Sequence, residues 1–429
     1  TRLLDMSQRV HYKSISSRLA AALCLLYFVF GLPVVRANQA EQEVGMHTDS
    51  AAAEMITEAT AADHSAASEE HAQGEEKFDA GKMIVDHITD AHDWHLWGHG
   101  HSAVSVPLPV ILKSEQGLHF FMSSAFHHDN DGKHVVDHNG ERFVRYHNRI
   151  YIAGTSADAE GRFVSVNEKG EASNVAPLDF SITKNVAALL FSVILLLWIF
   201  LSVAKAYRRR EGQAPKGLQS LIEPLIIFVR DEIAKPSIGA KHMKYMPYLL
   251  TVFFFIWINN LLGLIPIIPG GANLTGNIAV TMTLALITFI ITTVSANKHY
   301  WRHVFAMPGV PVGVLVLLTP IELLGVFLRP FVLMIRLFAN ITAGHIIALS
   351  FFSLIFIFGE MSTGLGLGVS VFSVAFVVFM SLLELLVAFL QAFVFTLLSA
   401  IYFGSAVEEH DHHHEDEHGH AHVEEAAIV

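Results

Sequence analysis

Ionisable side chains occur at a few positions within otherwise apolar sequence in the C-terminal half of the chain. A charged group at the centre of a bilayer costs a few kcal/mol or more, so such residues are rare and usually line ion or substrate pathways. An acid and an imidazole can both titrate near neutrality and pass protons, whereas an arginine stays charged. The residues are Glu322, Arg329, Arg336, His345 and Glu384. Their types indicate proton movement around a fixed positive charge.

Helical rise predicts where these groups lie along the membrane normal. His345 is nine residues beyond Arg336, about 13 Å nearer the outside. In the next helix, Glu384 is seven residues before Gln391, about 10 Å nearer the outside. If Gln391 is level with Arg336, then His345 and Glu384 share a level. Glu322, fourteen residues before Arg336, lies about 21 Å nearer the cytoplasm.

Helical angles predict that the arginine and the histidine face different neighbours. At about 100° per residue, Glu322, Arg336 and Asn340 fall on nearly one face, and His345 falls opposite Arg336. The pattern is typical of two proton access routes separated by an arginine barrier. A buried ion pair that only fixes helix packing is the alternative, but Arg336 has no close acidic neighbour in its own helix.

Membrane-spanning helices must carry these groups. Hydrophobic residues make up 52% of the 429 residues and charged residues 16%, against about 25% charged in soluble proteins. The mean hydropathy is +0.44. Spans are predicted at 186–204, 248–268, 278–296, 310–358 and 364–402. The last two run to about 60–70 Å each across a core of about 30 Å, so they must tilt, extend beyond it, or both. The fold class predicted is an all-α polytopic membrane protein with two long antiparallel helices.

Composition divides the rest of the chain. Residues 1–37 carry basic residues and then an apolar run, which predicts a signal peptide; an uncleaved anchor helix is the alternative. Residues 38–80 are acidic and poor in large apolar groups, which predicts a disordered linker. Residues 81–180 alternate β-formers with turns, which predicts a small β-containing, His-rich extracytoplasmic domain. A membrane domain at 181–407 and a disordered His-rich and acidic tail at 408–429 follow.

Basic residues predict the orientation. The loop at 205–245 contains nine Lys and Arg residues and the loop at 267–276 none, and cytoplasmic loops carry the excess of positive charge. The chain is therefore expected in the cell inner membrane, with the N-terminal domain outside the cytoplasm and the C-terminus in the cytoplasm. Residues 220–233, SLIEPLIIFVRDEI, have apolar residues at helical spacing, which predicts an amphipathic helix on the cytoplasmic face.

Charge and cysteine content exclude several classes. The net charge of −12 excludes a basic nucleic-acid binder. The single cysteine, Cys24, excludes a disulfide scaffold and a cysteine-based metal site. No phosphate loop of the GxxxxGK[ST] kind is present, so we expect no ATP chemistry in this chain and no cofactor.

Twenty-six histidines, clustered at 87–138 and 410–422, raise the alternative of a divalent-metal transporter. That class needs several ligands at the membrane midplane, yet the residue four beyond His345 is Leu349. The histidine spacing outside the spans is irregular, which favours solvated polar sequence over a specific metal site. A third hypothesis, a non-transporting assembly protein, leaves the intramembrane charges unexplained.

Four segments resemble a known family. RLFANITAGH (336–345), LQAFVFTLLSAIY (390–402), INNLLGLIP (258–266) and TPIELLGVFLRP (319–330) are similar in order and spacing to the a subunit of the rotary F-type ATP synthase. The resemblance covers about residues 180–407 and indicates a bacterial type with an enlarged exported N-terminal region. It implies a stator proton channel whose partners are the c-subunit ring, the b subunits and the rest of the F1Fo complex.

The resemblance also implies residue roles. Arg336 matches the arginine that faces the c ring, and Asn340 and Gln391 match the polar residues beside it. Glu322 matches an acid of the cytoplasmic half-channel. His345 and Glu384 match the pair of the external half-channel, but with the order reversed, since the best-studied bacterial members carry Glu first and His second. An acid and an imidazole are both retained, so a paired relay survives the exchange.

Overall fold

The computed structural model describes residues 80–97, 104–167, 170–265, 271–307 and 309–408. The predicted signal peptide at 1–37, nearly all of the predicted linker at 38–80 and all but the first residue of the tail at 408–429 lie outside these residues. Cys24 and the histidine cluster at 410–422 also lie outside them. The N-terminal domain and the membrane helices can both be compared with their predictions.

The N-terminal domain consists of one helix and short antiparallel strands. The elements are α1 (Ala80–Ile88), β1 (Asp93–Trp97), β2 (Val104–Pro107), β3 (Pro109–Ser114), β4 (Gly117–Met122), β5 (Asp131–His138), β6 (Glu141–Tyr146), β7 (Arg149–Ile152) and β8 (Leu178–Asp179). They form sheets of order β1-β2, β4-β3-β8 and β5-β6-β7. Alternate residues of β3, Val110 and Leu112, are buried with Phe126 and Phe143 in a shared core, as expected for strands with one buried face.

Buried ion pairs connect the strands of this domain. Arg145 pairs with Asp93 at 2.5 Å, and His92 pairs with Asp179 at 2.7 Å. Burial opposes ionisation of Asp93, but Arg145 and Ser123 outweigh it and hold the pKa of Asp93 below its usual value. Burial likewise opposes ionisation of Asp179, and the hydrogen bond from His92 outweighs it, so the pKa of Asp179 is also lowered. Both carboxylates therefore stabilise the folded domain while ionised.

The membrane domain is helical, with eight consecutively numbered helices in its described residues. They are α2 (Lys184–Arg209), α3 (Leu218–Phe228), α4 (Lys235–Ile238), α5 (His242–Leu264), α6 (Ile278–Ser295), α7 (Lys298–Phe305), α8 (Val312–Met361) and α9 (Thr363–Val407), where α2 begins the domain and the other seven follow it. A π-helical turn, Val229–Ala234, joins α3 to α4.

Five helices among the described residues are long and apolar enough to cross a membrane, which confirms the predicted fold class. They are α2, the stretch Leu218–Leu264, α6, α8 and α9. The second is longer than predicted because the predicted amphipathic segment runs almost continuously into α5. Its buried residues Ile222, Ile226 and Val229 recur at helical spacing. The helices α8 and α9 contain 50 and 45 residues, or about 75 and 68 Å.

Helix α5 is the centre of the membrane domain. Its residues Phe253, Phe254 and Phe255 are fully buried, and α9 packs against α5 as well as against α8. In contrast, α8 and α9 expose many apolar side chains, Ile335 and Leu386 among them. An apolar face of this extent needs lipid or a partner protein.

Helix α9 approaches the segment after α3 very closely. A Cβ atom added at Gly404 would overlap the carbonyl oxygen of Ser237. Because that oxygen belongs to the backbone, it cannot rotate away as a side chain would. The absence of a side chain at Gly404 therefore permits the contact between α9 and α4.

We expect Gly404→Ala to destabilise the membrane domain by roughly 1–3 kcal/mol, the usual cost of overpacking. The effect is measured as the midpoint temperature at which the heated, purified complex loses this subunit. Gly313→Ala is the matched control, since a Cβ there meets no atom within 4 Å. Equal midpoints for the two variants would contradict the prediction.

The lowered pKa values of Asp93 and Asp179 predict acid sensitivity of the N-terminal domain. Their contribution to stability is complete above the unfolded value of about 3.9 and disappears as pH falls through the folded values. Pepsin digestion of the intact protein between about pH 2 and 5 should cut this domain increasingly at the acid end. Asp179→Asn should weaken the pH dependence, and an unaltered profile in that variant would be inconsistent with the prediction.

Candidate functional site

Arg336 and Asn340 lie one turn apart on the exposed side of α8. The adjoining face of this turn carries Leu333 and Leu337, which are buried in the core around α5. The packing of these leucines therefore directs the guanidinium outward, away from the helical core. The exposed positions agree with the shared helical face predicted from the sequence.

Helices α8 and α9 are antiparallel, and their contacts set the levels of the polar groups. Gly344 meets Glu384, and the guanidinium of Arg329 lies 5.5 Å from the ring centre of Tyr402. Between these two contacts, Gln391 falls within about one turn of Arg336. Gln391 is buried on the partner helix, near the level that the helical rise requires.

The outer acid and imidazole lie at one level. A Cβ atom at Gly344 would be 2.6 Å from Oε1 of Glu384, so the carboxyl group lies against the backbone immediately before His345. The imidazole points in another direction: its Nε2 lies 3.9 Å from the Cβ position of Gly263 on α5. His345 thus faces the helical core while Arg336 faces outward, as the predicted 180° difference requires.

Hydrogen bonds hold α5, α9 and the turn before α6 together beside these groups. Asn260 donates from Nδ2 to the carbonyl of Ala388 at 3.2 Å, and Thr275 donates to Oδ1 of Asn260 at 2.6 Å. Thr342 donates to the carbonyl of Gly276 at 3.4 Å. These bonds fix the walls around His345 and Glu384.

Glu322 forms an ion pair with Arg329. The two side chains approach to 3.7 Å, and each is about 30% exposed or slightly less. Arg329 also donates to the hydroxyl of Tyr300 at 3.1 Å. From sequence alone Glu322 is predicted to be a separate inner acid on the face of Arg336, and Arg329 has no predicted partner. The two residues are seven positions apart, which places them on one face of the helix, and this spacing could have indicated the pair.

A small cavity adjoins Arg329 of this ion pair. Its lining includes Arg329, Tyr300 and Tyr402 together with hydroxyl-bearing residues of α6, Thr288 and Thr292. Tyr300 was not identified from the sequence, because a tyrosine in a short helix outside the spans carries no distinguishing pattern. The partner of the acid, Arg329, therefore lines a cavity formed by α6, α7, α8 and α9.

No group of three or more His, Cys, Asp or Glu side chains in the described parts of the chain is arranged to hold a metal ion. Buried histidines of the N-terminal domain instead contact protein groups. His119, for example, lies 2.9 Å from Glu141 and 3.3 Å from His138.

Family profiles match both the membrane domain and the N-terminal domain of the chain. The profile of the ATP synthase A chain family matches residues 186–404. A second profile, a domain of unknown function (DUF8433), matches residues 83–180. The metal-transporter alternative finds no support among these matches.

Curated relatives cover the same membrane region. ATP synthase subunit a 2 of Chlorobaculum tepidum is 46% identical over 245 residues, which cover 56% of this chain and 67% of the relative. ATP synthase subunit a of Chloroherpeton thalassium is 43% identical over 56% of this chain and 70% of its own length. The Myxococcus xanthus subunit a is 42% identical over 56% and 77%. The predicted family and function are confirmed: the chain belongs to the ATP synthase A chain family, the proton-channel stator subunit of the Fo sector.

Proposed function

We propose that this subunit conducts protons through two half-routes separated by Arg336. The outer route uses His345 and Glu384, and the inner route ends near Glu322. The observation that carries this proposal is the outward position of Arg336 on α8, with the outer acid and imidazole packed behind it on the side of α5 and α9. The positive charge is thus separated from the outer relay by the helix itself.

The partner of Arg336 is a carboxylate on the ring of c subunits. An exposed cation on an otherwise apolar helix face requires an anion, because an unpaired charge in lipid is costly. A guanidinium beside a carboxylate lowers its pKa and so favours proton release. Asn340, one turn away on the same exposed side, and buried Gln391 on α9 provide neutral polar groups next to the cation.

Protons reach the ring carboxylate through the outer pair. Glu384 lies against Gly344, and Oε1 of this carboxyl is buried with no hydrogen-bond partner among the described residues. Such an oxygen is available to accept a proton or to bind water. The protonated ring carboxylate is neutral and can enter lipid, which the ionised form cannot do without a large cost.

Protons leave near Glu322. Arg329 pairs with Glu322, and this carboxyl is the group that receives the proton from the ring. Each proton that crosses yields about 2.3 kcal/mol per 100 mV of membrane potential, plus the pH term. Ring rotation transmits this energy to the ATP-forming part of the complex.

The chain lies in the cell inner membrane with its N-terminal domain outside and its C-terminus in the cytoplasm. Nine basic residues at 205–245 support this orientation. We assign 1–37 to a signal peptide, 38–80 to a linker, 81–180 to the exported domain, 181–407 to the membrane domain and 408–429 to a tail. The b subunits and the remaining F1Fo subunits complete the set of partners.

Arg336→Ala tests the barrier. We expect ATP-driven acidification of inverted vesicles to disappear while the complex still assembles, because the ring carboxylate loses the charge that promotes proton release. Passive proton leak should rise, since the two half-routes are no longer separated by a cation. Arg302→Ala, at an exposed position of α7, is the matched control and should pump normally. Normal pumping by Arg336→Ala would refute the barrier role.

Gly344→Ala tests the outer pair without removing an ionisable group. The added methyl group would lie 2.6 Å from the present position of Oε1 of Glu384, so the carboxyl must move. We expect passive proton flow through F1-depleted vesicles to fall several-fold. Gly368→Ala, where a Cβ meets no atom within 4 Å, should leave flow unchanged. Equal flow in both variants would show that this carboxyl position is unimportant.

A further inference from the structure

The N-terminal domain joins the membrane domain beside the outer proton route. Helix α1 packs against α8, the helix that carries Arg336 and His345. Trp94 packs with Ala188 of α2 and with Ala272. The carbonyl oxygen of Ala272 lies 3.5 Å from the Cβ position of Gly263, and His345 lies 3.9 Å from the same position. The exported domain therefore reaches the backbone that borders the outer imidazole.

Asp90 is the acidic group at this junction. Its Oδ1 accepts a hydrogen bond from the backbone N–H of Asn185 at 3.0 Å, which ties it to the first turn of α2. The other carboxyl oxygen, Oδ2, is buried and accepts no hydrogen bond from the described residues. Asp90 is thus anchored by one oxygen and keeps the other available.

Charged and polar groups connect Asp90 to His345. Lys184, the first residue of α2, interacts electrostatically with Asp90 and also with His345. The ammonium of Lys184 donates to the carbonyl of His87 at 3.1 Å. One cation at the outer end of α2 therefore acts on the acid of the exported domain and on the imidazole of the membrane domain.

Several buried polar atoms near this junction have no hydrogen-bond partner among the described residues. Buried polar groups without a protein partner usually bind water. A concentration of such atoms between the exported domain and the outer pair is typical of a hydrated path. The atoms are Oδ2 of Asp90, Nδ1 of His92, Oδ1 of Asn185, the side-chain atoms Oδ1 and Nδ2 of Asn273, and Oε1 of Glu384.

We propose that Asp90 is the outermost proton-carrying group of the outer route, so that the exported domain forms part of the proton channel. This inference rests on the proposed role of His345 and Glu384. Asp90 takes a proton from external water through Oδ2 and releases it to water on the side of His345, which returns the carboxylate to its starting state. Lys184 is a positioning residue that holds the negative charge at the junction.

The surroundings of Asp90 suit proton exchange. Burial raises the pKa of Asp90, although the N–H of Asn185, the hydroxyl of Thr183 and the charges of Lys184 and His92 oppose this effect. A raised pKa moves an acid toward the external pH, where uptake and release both occur readily.

Asp90→Asn tests the proposal with little change of structure. The amide oxygen can still accept from Asn185, whereas the proton-carrying function is lost. We expect passive proton flow per assembled complex, measured in F1-depleted inverted vesicles under a potassium diffusion potential, to fall several-fold. The dependence of flow on luminal pH should also flatten, which a purely structural role would not cause. Asp158→Asn, an exposed acid of the same domain paired with Arg162, is the control and should retain normal flow.

Asn185→Ala provides a second test should Asp90→Asn fail to assemble. It retains the backbone donor to Asp90 and removes the side-chain amide, whose Oδ1 is buried without a partner among the described residues, so flow should again fall. Normal flow and a normal pH profile in either assembled variant would overturn the proposal.

His345→Ala and Glu384→Gln distinguish failure of the Asp90 proposal from failure of the proposed outer route. If they block flow and Asp90→Asn does not, only the role of Asp90 is wrong; if they conduct normally, the outer route itself is wrong.

Discussion

The cost of a charge in hydrocarbon is the constraint on which the membrane domain depends. Each ionisable group in the long helices has a distinct setting that meets this constraint. Glu322 and Arg329 pair with each other, and Glu384 lies against a glycine where no side chain intervenes. Arg336 alone of this set faces outward on an apolar surface. We propose that its counter-charge is intermolecular, an anion supplied by the rotor ring.

The rigid centre of the domain makes this exposed arginine possible. Helix α5 is buried on nearly all sides, and its aromatic residues pack against α9. The leucines of α8 next to Arg336 join the same core, so the arginine cannot turn inward without emptying packed space. Hydrogen bonds from Asn260 and Thr275 then fix the outer walls. Apolar packing fixes the outward direction of Arg336, and polar contacts fix the helices beside it.

The N-terminal domain also places charged groups at its contact with the membrane helices. It packs on α2 and α8 and brings an acid and a cation, Asp90 and Lys184, to the junction. Two other acids of the domain, Asp93 and Asp179, pair within the domain with Arg145 and His92. Asp90 differs because its Oδ1 accepts a hydrogen bond from the backbone N–H of Asn185 in α2, outside the domain. The domain is therefore joined to the channel by a polar contact as well as by apolar packing.

The sequence by itself determined the membrane class, the five spans, the two long helices and the opposite faces of Arg336 and His345. These features follow from apolar length, helical rise and helical angle, which are properties of a single helix. It also predicted a β-containing N-terminal domain from alternating residues. Only the tertiary structure decided which groups meet across helices: Glu384 at Gly344, His345 beside Gly263, Arg329 with Tyr300, and Asp90 with α2. The physical reason is that such contacts depend on how close two backbones approach, and neighbours distant in sequence set that distance.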